Sequence, residues 1–319
     1  MGGDHGPEEI VAGAREAATD YIRPIVFGPP GLDTAGLEHV ETDSTIGMDE
    51  KPAEAVRSKP NSSLVAACRA VGDGEADAVV SAGNTGAMLA AGLLEIRRVP
   101  GVLRPAIAAP IPARRGPYVL LDAGANADAR PEHLLQFAHM GAIFAAEMLD
   151  IADPEVRLLS IGEEPEKGNA LTLEAHDLLA ASELRFGGNV ESRWLLEGAH
   201  GDVVVTDGFT GNVALKTLEG AVGTLLEGLR DRVAATRRGK LGGLLIRPAA
   251  RALRDRLDPD TYGGAYLLGL RGLAVIAHGN SSPRAICNAV RLAARGVEHD
   301  VVGRLESRLP ARAPRASAV

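Results

Sequence analysis

The residues best suited to chemistry lie in the segment 202–220, which reads DVVVTDGFTGNVALKTLEG. Its apolar β-branched run, Val203–Val205, is typical of a buried strand, and the apolar spacing after Asn212 is typical of a helix. A tight polar turn therefore connects a strand to a helix N-terminus, where unpaired backbone N–H groups and the helix dipole favour an anion. Glycine in such a turn lets a ligand approach the backbone closely. The residues expected to contact a phosphate here are Asp207, Gly208, Thr210, Gly211 and Asn212.

Four further junctions repeat this combination of an apolar run with glycine and asparagine. They follow the runs at 78–80, 119–121, 156–161 and 273–276. Strands that alternate with helices favour a mainly parallel sheet, in which ligands bind at the carboxyl ends of the strands. We therefore expect the five junctions to line one polar cleft at one edge of the sheet. The further residues of this predicted binding site are Gly83, Asn84, Thr85, Asn126, Lys167, Asn169, His278, Asn280 and Ser281.

These residue types favour transfer to phosphate without a side-chain nucleophile. The 207–212 turn contains no Ser, Cys or His, and the chain has no G-x-G-x-x-G, P-loop, G-x-S-x-G or H-E-x-x-H pattern. Phosphate is itself an oxygen nucleophile, so acyl transfer to it requires positioning and stabilisation of the developing oxyanion. The predicted catalytic residues are Lys167, Asn212 and His278. Lys167, with Asn169, would stabilise the oxyanion, Asn212 would help to hold phosphate, and His278 would assist a departing thiolate.

Plainer roles remain open for the same residues. Asn is a preferred helix N-cap, so each asparagine could serve only to begin a helix. Lys167 could be a solvated loop lysine, and His278 could be a structural hydrogen-bonding group. No cofactor and no metal site are predicted, because the eight His residues are scattered along the chain.

The elements expected to position these residues alternate along the chain and predict an α/β fold with helices on both faces of the sheet. The expected strands are 25–27, 78–80, 107–109, 119–121, 156–161, 203–205 and 273–276. The expected helices are 62–71, 86–97, 132–149, 170–181, 214–230 and 285–295.

Composition narrows the class of protein. The chain has 319 residues, of which 45% are hydrophobic and 24% charged, as in soluble globular proteins. A net charge of -8 argues against nucleic-acid binding. The two cysteines, Cys68 and Cys287, lie in apolar helical patterns and are expected to be reduced core thiols. The sequence contains no signal peptide and no run of about 18 apolar residues, so a cytoplasmic protein is expected.

A basic amphipathic insertion is predicted at 228–260, within a single α/β domain at 1–303. Residues 230–256 include nine basic and two acidic side chains, against the sign of the whole chain. Pro248 is expected in the first turn of a new helix after an apolar hinge. The segment could be a membrane or acidic-partner surface, or alternatively a solvated or dimer-packing helix. The residues of this surface are Arg237, Arg238, Lys240, Leu244, Leu245, Ile246, Arg247 and Arg251. Residues 304–319 are predicted to be a flexible tail.

Six segments, taken in order, resemble one protein family. They are MGGDHGP at 1–7, SAGNTGA at 81–87, GANADARPEHLLQFAHMG at 124–141, IGEEPEKGN at 161–169, the segment 202–220, and YGGAYLLGL with AHGNSS at 262–282. This sequence resembles the phosphate acyltransferase family of bacterial phospholipid synthesis, PlsX, over nearly its whole length.

The resemblance implies the activity, the fold and the partners. It implies reversible transfer of a long acyl chain from acyl carrier protein to inorganic phosphate. It also implies a homodimeric three-layer α/β/α fold, similar to phosphotransacetylases and isopropylmalate dehydrogenases, with a protruding helical hairpin. Such proteins act in the cytoplasm, peripherally on the membrane, beside the glycerol-3-phosphate acyltransferase that consumes the acyl phosphate.

One departure and three alternatives accompany the resemblance. In the family an apolar strand ending in Asp-Ala comes before MGGD, so the first strand is expected to be missing here. A short-chain phosphate acyltransferase or a dehydrogenase on the same fold is the alternative enzyme. The alternative without catalysis is a membrane scaffold that binds acyl carrier protein.

Overall fold

The structure is a computed structural model that describes residues 3–198, 200–257 and 259–310. Its helices are α1 (Pro7–Ala17), α2 (Pro52–Ser58), α3 (Ser63–Gly72), α4 (Thr85–Ala91), α5 (Pro131–Met148), α6 (Ala170–Ala180), α7 (Gly208–Ala234), α8 (Arg237–Leu257), α9 (Pro283–Glu298) and α10 (Val301–Arg308). Its strands are β1 (Ile25–Gly28), β2 (Glu38–Glu41), β3 (Ala78–Ser81), β4 (Ala106–Ile111), β5 (Tyr118–Leu121), β6 (Val156–Ser160), β7 (Phe186–Glu191), β8 (Val203–Val205), β9 (Ala265–Leu268) and β10 (Leu273–Ile276).

A mixed sheet of eight strands forms the centre, in the order β3-β10-β9-β4-β5-β8-β6-β7. Four of its pairings are parallel and three are antiparallel. Strands β4 and β9 pair antiparallel on both sides, so β3 and β10 run opposite to β5, β8 and β6. The five strands that precede the predicted junctions therefore do not all end at the same edge of the sheet, contrary to the prediction. The difference arises from β9, an additional strand between β10 and β4 that the sequence pattern did not indicate.

The core consists of two apolar layers, one on each face of this sheet. Val203 and Val205 face the layer that includes Phe137 of α5, whereas Val204 faces the layer that includes Met88 of α4. This alternation follows from the period of two along a strand. The chain is thus a three-layer α/β/α sandwich, which confirms the predicted fold class.

The predicted strands are all present in the described ranges, but the end of one strand and the C-terminal segment differ from the prediction. β6 ends at Ser160, and Ile161, which was predicted to continue it, is exposed. The predicted flexible tail from Arg304 is wrong for its first turn and a half, because α10 packs Val301 and Leu305 into the core. The rest of that prediction, 311–319, lies outside the described residues.

Helices α7 and α8 form the protruding hairpin, joined by residues 235–236. Pro248 lies inside α8 and does not begin a new helix as predicted. A proline inside a helix leaves one upstream carbonyl without its N–H partner, and α8 is exposed there, so water can satisfy it. Gly243 lets the two helices approach, since a Cβ at this position would lie 2.8 Å from Val233 Cγ1.

Strands β1 and β2 form a separate parallel pair. A groove of about 490 Å³ lies between β1 and β3. It is lined by both strands and by α1, α3 and α9, through Ile10, Ala14, Ile25, Phe27, Leu64, Val79 and Val290. Gly3 reaches one end of this strand groove, and Asp4 N–H donates to the Gly279 carbonyl at 2.8 Å.

Both cysteines are free and buried, as predicted. Burial raises the pKa of the Cys68 thiol to about 12, so this side chain stays protonated and unreactive in the folded protein.

Candidate active site

A cleft of about 550 Å³ lies on one face of the sheet over β4, whose Ile107, Ala109 and Ile111 form its floor. It brings together four of the five predicted junctions. Their lining residues are Gly83 and Thr85 after β3, Gly124 after β5, Asn212 in α7, and His278 with Gly279 after β10. The strand register explains how strands of opposite direction meet here: Leu121, the end of β5, is in line with Val275, one residue before the end of β10.

The buried carboxylate of Asp122 fixes the loop after β5. It accepts hydrogen bonds from the backbone N–H groups of Ile107 (2.9 Å), Gly124 (3.1 Å), Ala125 (2.9 Å) and Asn126 (2.7 Å), and from Asn126 Nδ2 (2.8 Å). Asn126 Nδ2 also donates to the Pro105 carbonyl at 2.8 Å. Asn126, predicted to bind phosphate, is therefore buried in a structural network and does not line the cleft.

The start of α7 does not present the open amides that the sequence predicted. Gly208 N–H donates to the Asn126 carbonyl at 2.8 Å, and Thr210 N–H donates to Asp207 Oδ1 at 2.9 Å. Gly211 N–H donates to the Asp207 carbonyl at 2.9 Å. These amides are already paired within the protein, so Gly208, Thr210 and Gly211 do not form the predicted backbone cradle for phosphate. The turn is a packed helix cap instead. The side chain of Asn212 alone from this turn faces the cleft.

Two other asparagines take the plainer role of helix caps. Asn84 Oδ1 accepts from Ala87 N–H at 3.0 Å at the start of α4. Asn169 Oδ1 accepts from Thr172 N–H at 2.9 Å at the start of α6. Asn280 is exposed, Ser281 is buried, and neither lines the cleft.

The loop at 162–169 is the junction that the cleft does not include. It follows β6, which lies beyond β8 on the side away from β5. Lys167 is exposed and Asn169 caps α6, so one copy of the chain does not bring Lys167 to Asn212 or His278.

A charged cluster of Lys216, Glu219 and His278 occupies the polar part of the cleft. Lys216 Nζ lies 2.8 Å from Glu219 Oε2, and His278 Nε2 lies 3.5 Å from Glu219 Oε1. The second contact is not a hydrogen bond, and Glu219 Oε1 is buried without a hydrogen-bond partner among the described residues. Sequence reasoning missed Lys216 and Glu219 because an i, i+3 charge pair is typical of any solvated helix face.

The rest of the cleft is apolar. Helix α7 contributes Leu215, Leu218, Val222 and Leu226, opposite Ile111 of β4, Leu196 and Leu257 at the end of α8. Arg254 and Tyr262 complete the wall. The cleft therefore has a charged part and an apolar part along a single helix.

No group of three His, Cys, Asp or Glu side chains in the described part of the chain is arranged to hold a metal ion. No helix in the same part is long and apolar enough to cross a membrane.

Comparison with solved structures identifies the fold. The structure is similar to a branched-chain phosphotransacylase from Enterococcus faecalis V583, with a TM-score of 0.60 and 18% identity, covering 93% of this chain and 97% of that one. It is also similar to the EutD phosphotransacetylase from Staphylococcus aureus, with a TM-score of 0.56 and 18% identity, covering 90% of both chains. The fold is that of the phosphotransacylases.

Comparison of sequences gives the family. A family model described as "Fatty acid synthesis protein" matches residues 1–304. The phosphate acyltransferase of Desulfitobacterium hafniense (strain DSM 10664 / DCB-2) is 46% identical over 320 residues, covering 97% of this chain and 96% of that protein. That of Heliobacterium modesticaldum (strain ATCC 51547 / Ice1) is 45% identical, covering 98% and 96%. The chain belongs to the phosphate acyltransferase family and is an acyltransferase enzyme.

Proposed function

We propose that this enzyme reversibly transfers a long-chain fatty acyl group from acyl carrier protein to inorganic phosphate. The products are an acyl phosphate, which enters phospholipid synthesis, and the free carrier thiol. Membership of the phosphate acyltransferase family is the basis for phosphate as the acyl acceptor. The acyl chain length and the carrier are the parts that we infer.

The observation that carries this proposal is the change in polarity along α7. Asn212, Lys216 and Glu219 line the charged part, whereas Val222 and Leu226 line the apolar part further along the same helix. From Asn212 to Leu226 the helix rises roughly 21 Å, enough for an extended lipid chain beside a charged head. An acyl phosphate has this distribution of polarity, with a dianionic head and an apolar tail.

The chemistry then follows from which groups face the head. Phosphate attacks the thioester carbonyl, and no side-chain nucleophile is needed because phosphate supplies the oxygen. Asn212 donates to phosphate, Lys216 provides positive charge next to it, and His278 lines the same part of the cleft. Such fixed donors lower the barrier because they are oriented before charge develops in the transition state. Lys167 remains a proposed contributor to oxyanion stabilisation, reaching the cleft from a second copy in the proposed homodimer.

The proposed docking surface is the exposed face of α8. Leu244, Leu245 and Ile246 are 63%, 80% and 49% exposed. They lie among Arg237, Arg238, Lys240, Arg247 and Arg251, which are also exposed. Basic side chains around exposed apolar ones suit an acidic carrier protein and an anionic lipid surface. We place the enzyme in the cytoplasm, at the membrane surface, where the downstream glycerol-3-phosphate acyltransferase receives the acyl phosphate.

One assay tests the proposed reaction. The protein is incubated with palmitoylated acyl carrier protein, with and without inorganic phosphate, and free thiol is measured. We expect thiol release that requires phosphate, with acyl phosphate as the second product. Release from acetyl but not palmitoyl carrier protein would instead support a short-chain enzyme, and no release from either would contradict the proposal.

A further inference from the structure

We propose that Glu219 is a positioning residue for His278, and that the pair carries a proton from the attacking phosphate to the departing sulfur. This inference rests on the proposed function. It concerns a contact between a helix and a strand end that are far apart in sequence: Glu219 lies in α7, and His278 follows β10.

The geometry of Glu219 supports this assignment. Its Oε2 is held by Lys216 Nζ at 2.8 Å, which fixes the carboxylate on the helix. Its Oε1 faces His278 Nε2 at 3.5 Å and has no hydrogen-bond partner in the described ranges, although the atom is buried. A buried carboxylate oxygen without a partner is costly, and a small shift of the imidazole turns this contact into a charge-assisted hydrogen bond.

The arrangement leaves the other ring nitrogen of His278 for the reaction. A carboxylate that accepts from Nε2 orients the imidazole and stabilises its protonated form. The side chain of His278 is 37% exposed, whereas that of Glu219 is 22% exposed. Both side chains line the cleft, and His278 is the more exposed of the two.

The proposed step balances without any other reactant. An oxygen of hydrogen phosphate forms a bond to the thioester carbonyl carbon, and the carbon–sulfur bond breaks. His278 accepts the proton that hydrogen phosphate carried and donates it to the sulfur, so the imidazole ends as it began. The products are the acyl phosphate dianion and a neutral thiol.

The first measurement separates positioning from binding. With palmitoylated acyl carrier protein, we expect Glu219→Gln to lower kcat by about tenfold or more, since general acid–base catalysis contributes 10²–10⁴-fold. The KM for phosphate should change less than about threefold, because Gln keeps the size of the side chain and the effect falls on the proton transfer. Glu227→Gln, an exposed residue on the same helix, is the matched control and should match the wild type.

The second measurement varies the leaving group. Palmitoyl thioesters of pantetheine and of thiophenol are compared, because a thiophenolate leaves without protonation. We expect His278→Ala and Glu219→Gln to slow the pantetheine thioester strongly and the thiophenol thioester by less than about threefold.

The outcomes are distinguishable. An unchanged kcat for Glu219→Gln, or equal losses with both thioesters at an unchanged melting temperature, would overturn the positioning role while leaving the proposed function in place. A wild-type protein that releases no thiol in response to phosphate would overturn the proposed function, and this inference with it.

Discussion

Gly211 packs directly on the main chain of Asp122: a Cβ on the glycine would lie 1.9 Å from the Asp122 carbonyl oxygen. The first turn of α7 is thus seated against the loop that the buried Asp122 carboxylate organises. The glycine in this turn serves helix docking, and the docking sets the position of Asn212, the next residue along.

Substitution of Gly211 should therefore be costly. We expect Gly211→Ala to reduce the free energy of unfolding by about 1–3 kcal/mol, the usual cost of overpacking, and to lower turnover because Asn212 moves. Gly220→Ala on the same helix is the control, since nothing lies within 4 Å of its Cβ position. Alanine at this control position should raise stability by roughly 0.5–1 kcal/mol. Urea unfolding of both variants provides the measurement, and equal effects would contradict the docking argument.

Lys167 and Asn212 should act in sites shared between two copies of the chain. We expect Lys167→Ala and Asn212→Ala each to lower kcat by at least about tenfold, as for the loss of one oxyanion donor. Mixing the two inactive variants under conditions that exchange subunits should restore about a quarter of wild-type activity, because half of the dimers then contain one intact site.

Two results would contradict this arrangement. Losses within about threefold for the variant with both substitutions, below roughly 0.7 kcal/mol of barrier, would remove both residues from catalysis. Strong single losses with no recovery on mixing would show that Lys167 does not act across a dimer.

The exposed apolar residues of α8 should carry membrane binding. We expect the triple variant Leu244→Gln, Leu245→Gln and Ile246→Gln to lose flotation with vesicles of phosphatidylglycerol, since buried apolar area supplies much of such binding. Leu94→Gln, outside the hairpin and 55% exposed in the wild type, is the control. Wild-type flotation with phosphatidylglycerol but not with phosphatidylcholine would show the contribution of the basic side chains. Unchanged flotation of the triple variant would rule out this surface.

The strand groove between β1 and β3 should accept an added strand. Gly3 and Asp4 lie at the carboxyl end of β3, where the Gly3 Cβ position is 3.4 Å from the Ala82 carbonyl oxygen. A strand fused before Met1 would therefore enter the groove parallel to β3, between edges of β1 and β3 that have no strand partner among the described residues. We expect a fused apolar strand of five or six residues to raise the melting temperature by several degrees. Each kcal/mol added to the free energy of unfolding raises the melting temperature by roughly 4–8 °C in a small domain, and by less in a chain of this length. A Gly-Ser extension of equal length is the control, and equal melting temperatures would contradict the prediction.

The sequence was sufficient for the elements with strong periodicity. Val203–Val205 and Tyr118–Leu121 are short apolar runs with a clear boundary, and both are central strands. β7 was missed because Gly187 and Gly188 interrupt its pattern. β9 was missed as well; it pairs antiparallel with β10, the next strand in the chain, and with β4, which is far away in the sequence. Long-range pairing of this kind leaves no local signal.

The site was predicted in part, for a related reason. Gly83, Thr85, Asn212 and His278 do line one cleft. The sequence could not show which amides were already paired, since the partner of Gly208 N–H is the distant Asn126 carbonyl. Nor could it separate Glu219 from an ordinary solvated glutamate, because only the fold brings His278 to it.

Helix α7 is one unbroken rod of 27 residues, roughly 40 Å long at 1.5 Å per residue. Its first turn is clamped by Asp122 and its far end stands in solvent as part of the hairpin. Asn212, Lys216 and Glu219 all lie near the clamped end. Because the helix is continuous, a displacement of its exposed end is transmitted to the end that holds these residues. If a carrier or a lipid surface binds the hairpin as proposed, it binds the same continuous helix that holds these three side chains, so docking and catalysis would be connected through α7.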